Sequence, residues 1–245
     1  MKLAIFSDIH SNLEALEACH ERARNLGAEG YVCLGDVTGY GADPAATVDK
    51  LMSLEKLIVV RGNHDEALFT KLSEGVKDSL KKTVNWTRNQ LSQDQLRFLE
   101  ALPYLLEEHG VTFVHASADH PGNWQYLGSG DSVEHCMQAA NTNVTFIGHV
   151  HVPRVFYETG SGEVRELKPR EDVSIPLMSS RRYVINVGSV GQPRDGDSAS
   201  CFVMYDDQKR EISFHRVVYN YIETSRKIKA ANLSPSSAER LSHAK

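Results

Sequence analysis

Five short segments of the sequence carry aspartate, asparagine and histidine side chains of the kind that bind metal ions: Asp8-Ile9-His10, Gly35-Asp36, Gly62-Asn63-His64-Asp65, His115 and Gly148-His149-Val150-His151. Carboxylate oxygens and imidazole nitrogens suit Zn²⁺, Mn²⁺, Fe and Ni²⁺, and the absence of cysteine from the set argues against a structural zinc site with thiolate ligands. The set contains more donors than one tetrahedral ion needs. Two metal ions about 3.5–4 Å apart can hold the attacking and leaving oxygens of a phosphoryl transfer, with a carboxylate as the natural bridge.

The spacing within two of these segments limits the local structure that they can adopt. Asp8 and His10 are two residues apart, and so are His149 and His151. Side chains at this spacing point to the same side of an extended chain and diverge on a helix, so either pair can share a metal only at a strand end or an extended turn. Taken alone, the pair is better explained by Asp8 as a cap of the helix that follows it, with His10 as a bystander.

Each segment follows a short apolar run of the kind that forms a buried strand. These runs cover residues 2–6, 31–34, 57–60, 111–114 and 144–147. The carboxyl ends of strands in a sheet with a parallel component gather at one edge, where ligands bind. We therefore expect the donor side chains to lie close together in the folded protein.

The rest of the chain predicts an α/β (α+β) fold. Helical periodicity covers residues 11–26, 44–53 and 131–140, and a longer helical stretch at 65–102 contains a capping box that starts at Ser92. The second half of the chain has shorter alternating runs that predict antiparallel strands at residues 155–157, 164–167, 183–187, 201–205 and 212–218. This order of elements predicts two packed sheets with helices outside.

The chain is long enough for one large domain with a sizeable core, because it has 245 residues and 41% hydrophobic content. We expect a single domain over residues 1–245, with a small helical insertion at about 66–102. A weakly helical C-terminal tail is expected at about 222–245, with a polar end that frays.

Composition narrows the expected partners and compartment. A formal net charge of −5 argues against a broad nucleic-acid-binding surface and favours a small solvated substrate. Apolar runs are shorter than the roughly 18 residues of a membrane-spanning helix, so no membrane partner is expected. The widely spaced cysteines predict buried reduced thiols and a cytoplasmic protein, and they are Cys19, Cys33, Cys136 and Cys201. The oligomeric state is left open.

Considered as one set, the segments resemble a known family. Asp8-x-His10, Gly35-Asp36-x-x-Gly39, Gly62-Asn63-His64-Asp65, His115 and Gly148-His149-x-His151 resemble the five-part signature of the calcineurin-like metallophosphoesterases. The resemblance runs from residue 2 to residue 151 in the order of the family. The stretch Asn-Val-Gly-Ser-Val-Gly-Gln-Pro-Arg at 186–194 extends it and resembles the bacterial branch of diadenosine tetraphosphatase-like and small phosphodiesterase-like members.

The resemblance implies a four-layer α/β/β/α sandwich of two mixed β-sheets flanked by helices. It also implies two divalent or trivalent transition-metal ions, of Mn, Fe, Zn or Ni. By motif position, it assigns the first metal to Asp8, His10 and His151, the second to Asn63, His115 and His149, and the bridge between them to Asp36.

The same resemblance implies the reaction. His64 would not be a ligand but the general acid, protonating the leaving oxygen while a metal-bound hydroxide attacks phosphorus in line. Arg194, Arg61 and Asn12 are the expected substrate contacts, although surface or supporting roles explain the two arginines equally well. The implied substrate is a small phosphodiester, a phosphomonoester or a nucleotide.

Two positions depart from the pattern of one branch of this superfamily. In phosphoprotein phosphatases the second block resembles Gly-Asp-x-x-Asp-Arg-Gly, whereas this chain has Gly39 and Tyr40 in place of the second aspartate and the arginine. The carboxylate partner expected for His64 is therefore missing, which argues against a protein phosphatase. That activity, a dinucleoside polyphosphate hydrolase and a non-catalytic metal-binding scaffold remain the alternative functions.

Overall fold

A computed structural model describes residues 1–72, 75, 78–128 and 130–245 of the chain. Within these residues there are twelve strands: β1 (Lys2–Phe6), β2 (Gly30–Cys33), β3 (Leu57–Val59), β4 (Leu105–Glu108), β5 (Val111–Val114), β6 (Val144–Ile147), β7 (Arg154–Glu158), β8 (Val164–Leu167), β9 (Ser174–Pro176), β10 (Tyr183–Asn186), β11 (Ser200–Asp206) and β12 (Glu211–Val217). They form sheet A, in the order β3-β2-β1-β11-β12-β9, and sheet B, in the order β4-β5-β6-β10-β7-β8.

The described α-helices are α1 (Leu13–Asn25), α2 (Pro44–Met52), α3 (Asn63–Glu66), α4 (Asp78–Gln90), α5 (Gln93–Glu100), α6 (Gly130–Ala139), α7 (Tyr221–Ala230) and α8 (Pro235–His243). Their starts follow local chemistry. The side chain of Asn12 caps α1, and Pro44 occupies the first turn of α2, where it leaves no hydrogen bond unmade. The capping box predicted at Ser92 is confirmed, because Ser92 and Gln95 exchange side-chain to backbone hydrogen bonds of 2.9 and 3.2 Å.

Apolar side chains separate the layers of the fold. Along β1, Leu3 and Ile5 face the core between the two sheets, while Ala4 and Phe6 face the helices that cover sheet A. This division follows from the two-residue period of a strand. On the other side, α6 covers sheet B with Val133 and neighbouring apolar residues. The predicted fold class, two mixed sheets flanked by helices in four layers, is confirmed.

Both sheets contain a parallel core, and these cores position the site. β1, β2 and β3 are parallel neighbours in sheet A, and β5, β6 and β10 are parallel neighbours in sheet B. The loops at their carboxyl ends are joined by backbone hydrogen bonds, including Val190 N to Ser7 O at 2.9 Å and Gly148 N to His115 O at 2.8 Å. The strand ends of the two sheets therefore meet at one place.

Two strands were not predicted from the sequence. β4 has the sequence Leu-Leu-Glu-Glu, which lacks the alternation of a strand, and it forms by antiparallel pairing with β5. β9 is a three-residue edge strand that pairs with β12. In both cases the partner strand, rather than the local residue pattern, determines the structure.

The predicted helical insertion at about 66–102 includes Ser73, Glu74, Val76 and Lys77, which lie outside the described residues; its described part contains α4 and α5. The C-terminal tail differs from the expectation of a frayed end, because it forms α7 and α8. Ile228, Leu233 and Leu241 of this segment pack together with Trp86.

The four cysteines are buried free thiols, as predicted. Among the described residues, no helix is long and apolar enough to cross a membrane. The limits of the single domain stay a prediction.

A buried histidine on β12 lies at the side of sheet A that faces α1. Nδ1 of His215 donates to Oδ1 of Asp172 at 2.6 Å, and its Nε2 accepts from the hydroxyl of Ser213 at 2.8 Å. Burial lowers the pKa of His215, and the hydrogen bond to Asp172 opposes this effect without reversing it. Arg22, which lies 3.6 Å from Asp172, also disfavours the protonated ring.

This histidine should make stability depend on pH. The pKa of His215 is lower in the folded than in the unfolded state, so the unfolded protein binds the proton more readily. Stability that is present above pH about 6.5 is therefore lost as the pH falls towards the pKa of the folded state. We expect the unfolding free energy to fall less between pH about 7.5 and about 5.5 in His215→Gln than in the unmodified protein. Urea unfolding at the two pH values measures the difference, and equal losses in the two proteins would contradict it.

Candidate metal centre

The structure brings together all the metal ligands predicted from the sequence. Asp8 and His10 follow β1, Asp36 follows β2 and Asn63 follows β3, while His115 follows β5 and the pair His149 and His151 follows β6. The donor atoms of Asp8, His10 and His151 lie within 4.8 Å of one another, and so do those of Asp36, His115 and His149. The two sheets thus contribute to two adjacent groups of donors.

Asp36 lies between the two groups. Its Oδ2 is 3.7 Å from Nε2 of His10 and 3.4 Å from Nε2 of His115. Asn63 belongs to the second group, because its Oδ1 lies 3.2 Å from Nε2 of His115. Asp8 belongs to the first, with its Oδ1 3.1 Å from Nε2 of His151. These distances are compatible with the two groups and the bridge that the family resemblance implies, and the assignment of each ligand stays a prediction.

The backbone around the donors adopts an uncommon conformation. Asp8, His10, Asp36, His149 and His151 all have positive φ angles, between 51° and 64°. Residues other than glycine seldom occupy this left-handed region, and each costs of order 1–3 kcal/mol. Such angles turn the chain sharply after the strand. Strain at five donor residues is typical of a functional site, although loops elsewhere, such as those at Lys56 and Arg210, also contain residues with positive φ.

Backbone carbonyls fix the orientation of four histidine rings: His10 Nδ1 to Thr38 O (3.0 Å), His115 Nδ1 to Leu34 O (2.8 Å), His151 Nδ1 to Gln192 O (2.6 Å) and His149 Nε2 to Trp124 O (3.0 Å). A carbonyl oxygen only accepts, so each of these ring nitrogens carries the hydrogen. The other nitrogen of each neutral ring then directs its lone pair into the site. Metal-binding histidines have this arrangement.

The facing lone pairs fit a bound cation. Nε2 of His10 lies 3.2 Å from Nε2 of His151, and Nε2 of His115 lies 3.2 Å from Oδ1 of Asn63. When these rings are neutral and carry their hydrogen on the nitrogen that faces the backbone carbonyl, no hydrogen atom lies between the two atoms of either contact. Oδ1 of Asp8 is also buried and accepts no hydrogen bond. A positive ion within each group would satisfy these atoms, so the residues present are suited to metal binding.

The charges of the site support the same interpretation. Burial opposes ionisation of Asp36, but His115 and His64 together outweigh it and hold the pKa of Asp36 well below its usual range. Burial likewise opposes a charge on His115, yet Asp36 and Asp8 raise the pKa of this ring to about 9. Burial lowers the pKa of His149 to about 4. The carboxylates of the site thus favour positive charge at His115, and a metal ion bound there would compete with a proton for this ring.

His64 lies at the border of this centre. Its ring is 5.0 Å from the ring of His10 and 4.6 Å from that of Tyr40, and one of its nitrogens lies within 4.8 Å of donor atoms of His10 and Asp36. Its backbone nitrogen donates to Oδ1 of Asp36 at 2.8 Å. Burial lowers the pKa of His64, and Asp36 only partly opposes this.

Gly39 explains how His64 is oriented without a carboxylate partner. A Cβ atom at Gly39 would lie 2.6 Å from Nδ1 of His64, so the imidazole rests directly on the glycine. Among the hydrogen bonds of the described residues, none involves the ring of His64. Packing between Gly39, Tyr40 and His10 therefore positions the ring, and a larger residue at 39 would displace it.

Asp65 connects the loops that follow β2 and β3. Its carboxylate is buried and accepts from the backbone of Val37, Thr38 and Gly62 at 3.0–3.2 Å, and from the hydroxyl of Thr38 at 3.0 Å. Burial and the nearby charge of Asp36 raise the pKa of Asp65 to about 6 despite these hydrogen bonds. Asp65 thus holds the loops of Asp36 and His64 together, and its hydrogen bonds to the backbone fit a supporting role rather than that of a ligand.

The predicted substrate contacts have different surroundings. Arg194 lies 5.8 Å from the ring of Tyr40 and donates to Oε1 of Gln192 at 2.9 Å, while its Nε is buried without a partner. No acidic group of the described residues pairs with its guanidinium. Arg61 instead donates to the carbonyl of Glu100, and its guanidinium lies 5.0 Å over the ring of Tyr104. Arg194 is therefore the better placed of the two for a phosphate.

The structure does not support the expected substrate contact of Asn12. Its amide group is 1% exposed, and it donates to Gly191 O and Tyr219 Oη at 2.8 and 3.2 Å. Its Oδ1 accepts from Ala15 N and from the hydroxyl of Thr224, at 3.2 and 3.1 Å. These bonds use the donors and acceptors of the side chain. Asn12 caps α1 and joins it to α7, and nothing remains to bind a substrate.

Several residues near the donors were not predicted as part of the site. Tyr40 packs on His10 and His64, and Trp124 and Tyr126 lie against His115 and His149. The available signal was the aromatic content of the loop Pro-Gly-Asn-Trp-Gln-Tyr at 121–126. Its path depends on contacts with distant segments, which no local pattern reveals.

Comparisons with known proteins agree with this site. The profile of the calcineurin-like phosphoesterase superfamily domain matches residues 1–209. An uncharacterized protein of Methanocaldococcus jannaschii is 37% identical over an alignment 247 residues long, including gaps. The alignment covers 98% of this chain and 96% of that protein. The crystal structure of a metallophosphoesterase from Sphaerobacter thermophilus, 34% identical, superposes with a TM-score of 0.89 over 100% of this chain and 99% of that one. Phosphodiesterase YfcE of Escherichia coli is 26% identical over 219 residues, 84% of this chain and 89% of that enzyme.

These matches confirm the resemblance found in the sequence and the predicted enzyme class, a phosphoester hydrolase. The profile covers every predicted metal ligand and His64, since all of them lie within residues 1–209. The family implies divalent metal ions, and the two groups of donors described above are candidate ligands for them. The chain belongs to the calcineurin-like phosphoesterase superfamily.

Proposed function

We propose that the chain is a dinuclear metal-dependent phosphoesterase that hydrolyses a small phosphodiester, phosphomonoester or nucleotide. The observation that carries this proposal is the pair of donor groups on either side of Asp36, each with two acceptor atoms that face one another at 3.2 Å. Nitrogen and oxygen donors of this kind suit Mn, Fe, Zn or Ni. The proposed compartment is the cytoplasm, a choice supported by the buried free thiols.

The ligands follow from the two groups. We assign the first metal to Asp8, His10 and His151, the second to Asn63, His115 and His149, and the bridge to Asp36. When bound, the two cations supply a hydrolytic nucleophile at neutral pH and neutralise charge on the phosphoryl oxygens. The protein fixes the donor geometry in advance through the four ring-to-carbonyl hydrogen bonds.

His64 has the proposed role of general acid. Its ring lies beside the bridge, rests on Gly39 and makes no hydrogen bond with any described residue, so it is free to hold a proton against the leaving oxygen. Burial lowers the pKa of His64, which makes the protonated ring a stronger acid but less populated at neutral pH, so the position of the ring beside Asp36 carries the proposed role. Arg194 is the proposed cation for a non-bridging phosphate oxygen, because it lies beside Tyr40, whose ring packs on His64.

The same residues help to distinguish the alternative functions. Gly39 and Tyr40 replace the aspartate and arginine of protein phosphatases, and the close contact of Gly39 with His64 leaves no room for a carboxylate there. A metal-binding scaffold would not need the catalytic histidine. A dinucleoside polyphosphate hydrolase would use the same donors and is distinguished only by its products.

Metal loading tests the proposal. Protein treated with a chelator should be inactive. After metal is added back, it should bind about two metal ions per chain and hydrolyse p-nitrophenyl phosphate or bis(p-nitrophenyl) phosphate. Because the ions bind only the folded chain, loading should also raise the melting temperature, with about 2.7 kcal/mol of added stability at a metal concentration 100 times the dissociation constant. Metal analysis, calorimetry and a panel with Mn²⁺, Fe²⁺, Zn²⁺ and Ni²⁺ provide the measurements.

The outcomes separate the functions. Hydrolysis of diadenosine tetraphosphate with defined nucleotide products, and none of simple esters, would favour the polyphosphate hydrolase. Full metal occupancy without turnover on a broad panel would contradict the proposal and support the scaffold. Unchanged activity after complete removal of metal would exclude the dinuclear reaction altogether.

A further inference from the structure

An aromatic surface borders the second group of donors. It consists of Tyr104, Trp124 and Tyr126, which we call the aromatic shelf. The ring of Tyr126 stacks on the ring of His149 with 4.2 Å between centroids and 27° between planes. The ring of Trp124 lies 5.8 Å from that of His115 and 5.7 Å from that of Tyr104. The shelf is therefore continuous with two of the proposed metal ligands.

Polar contacts hold the shelf in place. Nε1 of Trp124 donates to Oε2 of Glu66 at 2.8 Å, and the hydroxyl of Tyr104 donates to the other oxygen of the same carboxylate. Glu66 ends α3, the short helix that begins with Asn63 and contains His64. One four-residue helix thus carries a metal donor, the proposed acid and the residue that fixes the shelf.

The backbone of the loop that contains Trp124 also connects the aromatic shelf to the metal centre. The carbonyl of Trp124 accepts the ring hydrogen of His149 at 3.0 Å, and Trp124 itself has a φ of 53°. A bulky residue in this left-handed region is strained, so the surrounding contacts impose the conformation. The same peptide that orients His149 therefore places the tryptophan beside it.

The shelf exposes more aromatic surface than packing requires. Tyr126 is 62% exposed although its ring lies against the buried ring of His149, and Tyr104 is 36% exposed. Since one face of the Tyr126 ring is stacked on His149, its exposure leaves the opposite face open to solvent. An exposed aromatic ring next to a catalytic centre is suited to binding a flat apolar group.

We propose that the aromatic shelf binds the base of a nucleotide while its phosphate lies at the metal centre. Bases stack on tyrosine and tryptophan with little dependence on their identity, because every base has a π face. Arg194 lies near Tyr40, and Arg61 lies over one face of the Tyr104 ring, which leaves Tyr126 as the most exposed ring of the shelf. This inference rests on the proposed function and narrows its substrate class to nucleotides.

A pair of ligands that differ only in the base tests the shelf. The probes are the phosphonate analogues of AMP and of ribose 5-phosphate, in which a methylene group replaces the ester oxygen so that no turnover occurs. The metal-loaded protein should bind the AMP analogue about tenfold more tightly than the ribose analogue, as loss of one base stack predicts. Titration calorimetry measures both affinities without relying on hydrolysis.

Variants of Tyr126 assign the difference to the shelf. Tyr126→Ala should reduce the preference for the AMP analogue to about two- or threefold, since Trp124 remains, whereas Tyr126→Phe keeps the ring and should retain about the tenfold preference. Metal content is measured in each variant, because Tyr126 touches His149. Equal affinities of the unmodified protein for the two probes, or an equal preference in the alanine and phenylalanine variants, would overturn the inference.

Failure of the inference and failure of the proposed function give different results. If metal-loaded protein hydrolyses phosphate esters but does not prefer the base-containing probe, the shelf is not a nucleotide site and the phosphoesterase stands. If the base preference is found and depends on the ring of Tyr126, but no ester is hydrolysed, the shelf binds nucleotides on a protein that is not a phosphoesterase.

Discussion

Asp36→Asn is expected to empty the metal centre and abolish hydrolysis. Asp36 is 1% exposed, and its Oδ2 is the carboxylate oxygen that lies between His10 and His115. Asparagine has nearly the same shape, and its Oδ1 can still accept from the backbone nitrogen of His64, a bond of 2.8 Å. The fold should therefore survive while the negative bridge is lost.

Removal of a residue that hydrogen-bonds to a metal ligand lowers metal affinity roughly 10–100-fold. The fall in metal affinity caused by Asp36→Asn should be larger, because Asp36 is proposed to contact both ions. Metal content after dialysis and kcat on a simple phosphate ester measure the effect. Asp94→Asn is a matched control, since the side chain of Asp94 is 81% exposed and pairs only with Arg97 in the described structure. A variant at Asp36 that retained two ions and full activity would exclude the bridging role.

The positions of the donors were predictable because they depend on strand ends. Asp8, Asp36 and His115 each follow an apolar run that could be recognised from residues alone, and parallel strands bring such ends together without any further information. The stacking of the two sheets also followed from the order of strands and helices. Local patterns and simple topology thus account for the layers of the fold and for the donor set.

Roles that depend on tertiary contacts were not predictable. Asn12 was expected to bind substrate, but its distant partners Gly191, Tyr219 and Thr224 use its hydrogen-bonding groups. The missing carboxylate at Gly39 left the orientation of His64 without an explanation. Only the structure places the glycine against the imidazole, 2.6 Å from where its Cβ would lie.

The segments that were missed have the same physical origin. β4 lacks a strand-like sequence and exists because β5 offers an edge to pair with. The helical character of the C-terminal tail was predicted, but the packing of apolar residues of α7 and α8 on Trp86 was not. The aromatic shelf depends on Glu66, which is 58 residues from Trp124 in the chain. Contacts of this range cannot be inferred from one sequence.

His64→Ala is expected to reduce turnover by about 10²–10⁴-fold while leaving two metal ions bound, because a positioned general acid contributes about this much. The ring lies within 4.8 Å of donor atoms of His10 and Asp36, which would also suit a ligand, so metal content is the decisive measurement. His64 is only half-buried at the border of the site, and removal of its ring leaves the four carbonyl-bound histidines untouched.

The leaving group distinguishes an acid from a residue that only supports the site. A p-nitrophenolate leaves without protonation, so His64→Ala should lose much less activity on a p-nitrophenyl ester than on an alkyl ester of the same phosphate, whose alkoxide must be protonated. His135→Ala, at an exposed position of α6, is the matched control and should behave as the unmodified protein. Loss of one metal ion from His64→Ala would make His64 a ligand, and equal losses on the two esters would exclude protonation of the leaving oxygen as its role.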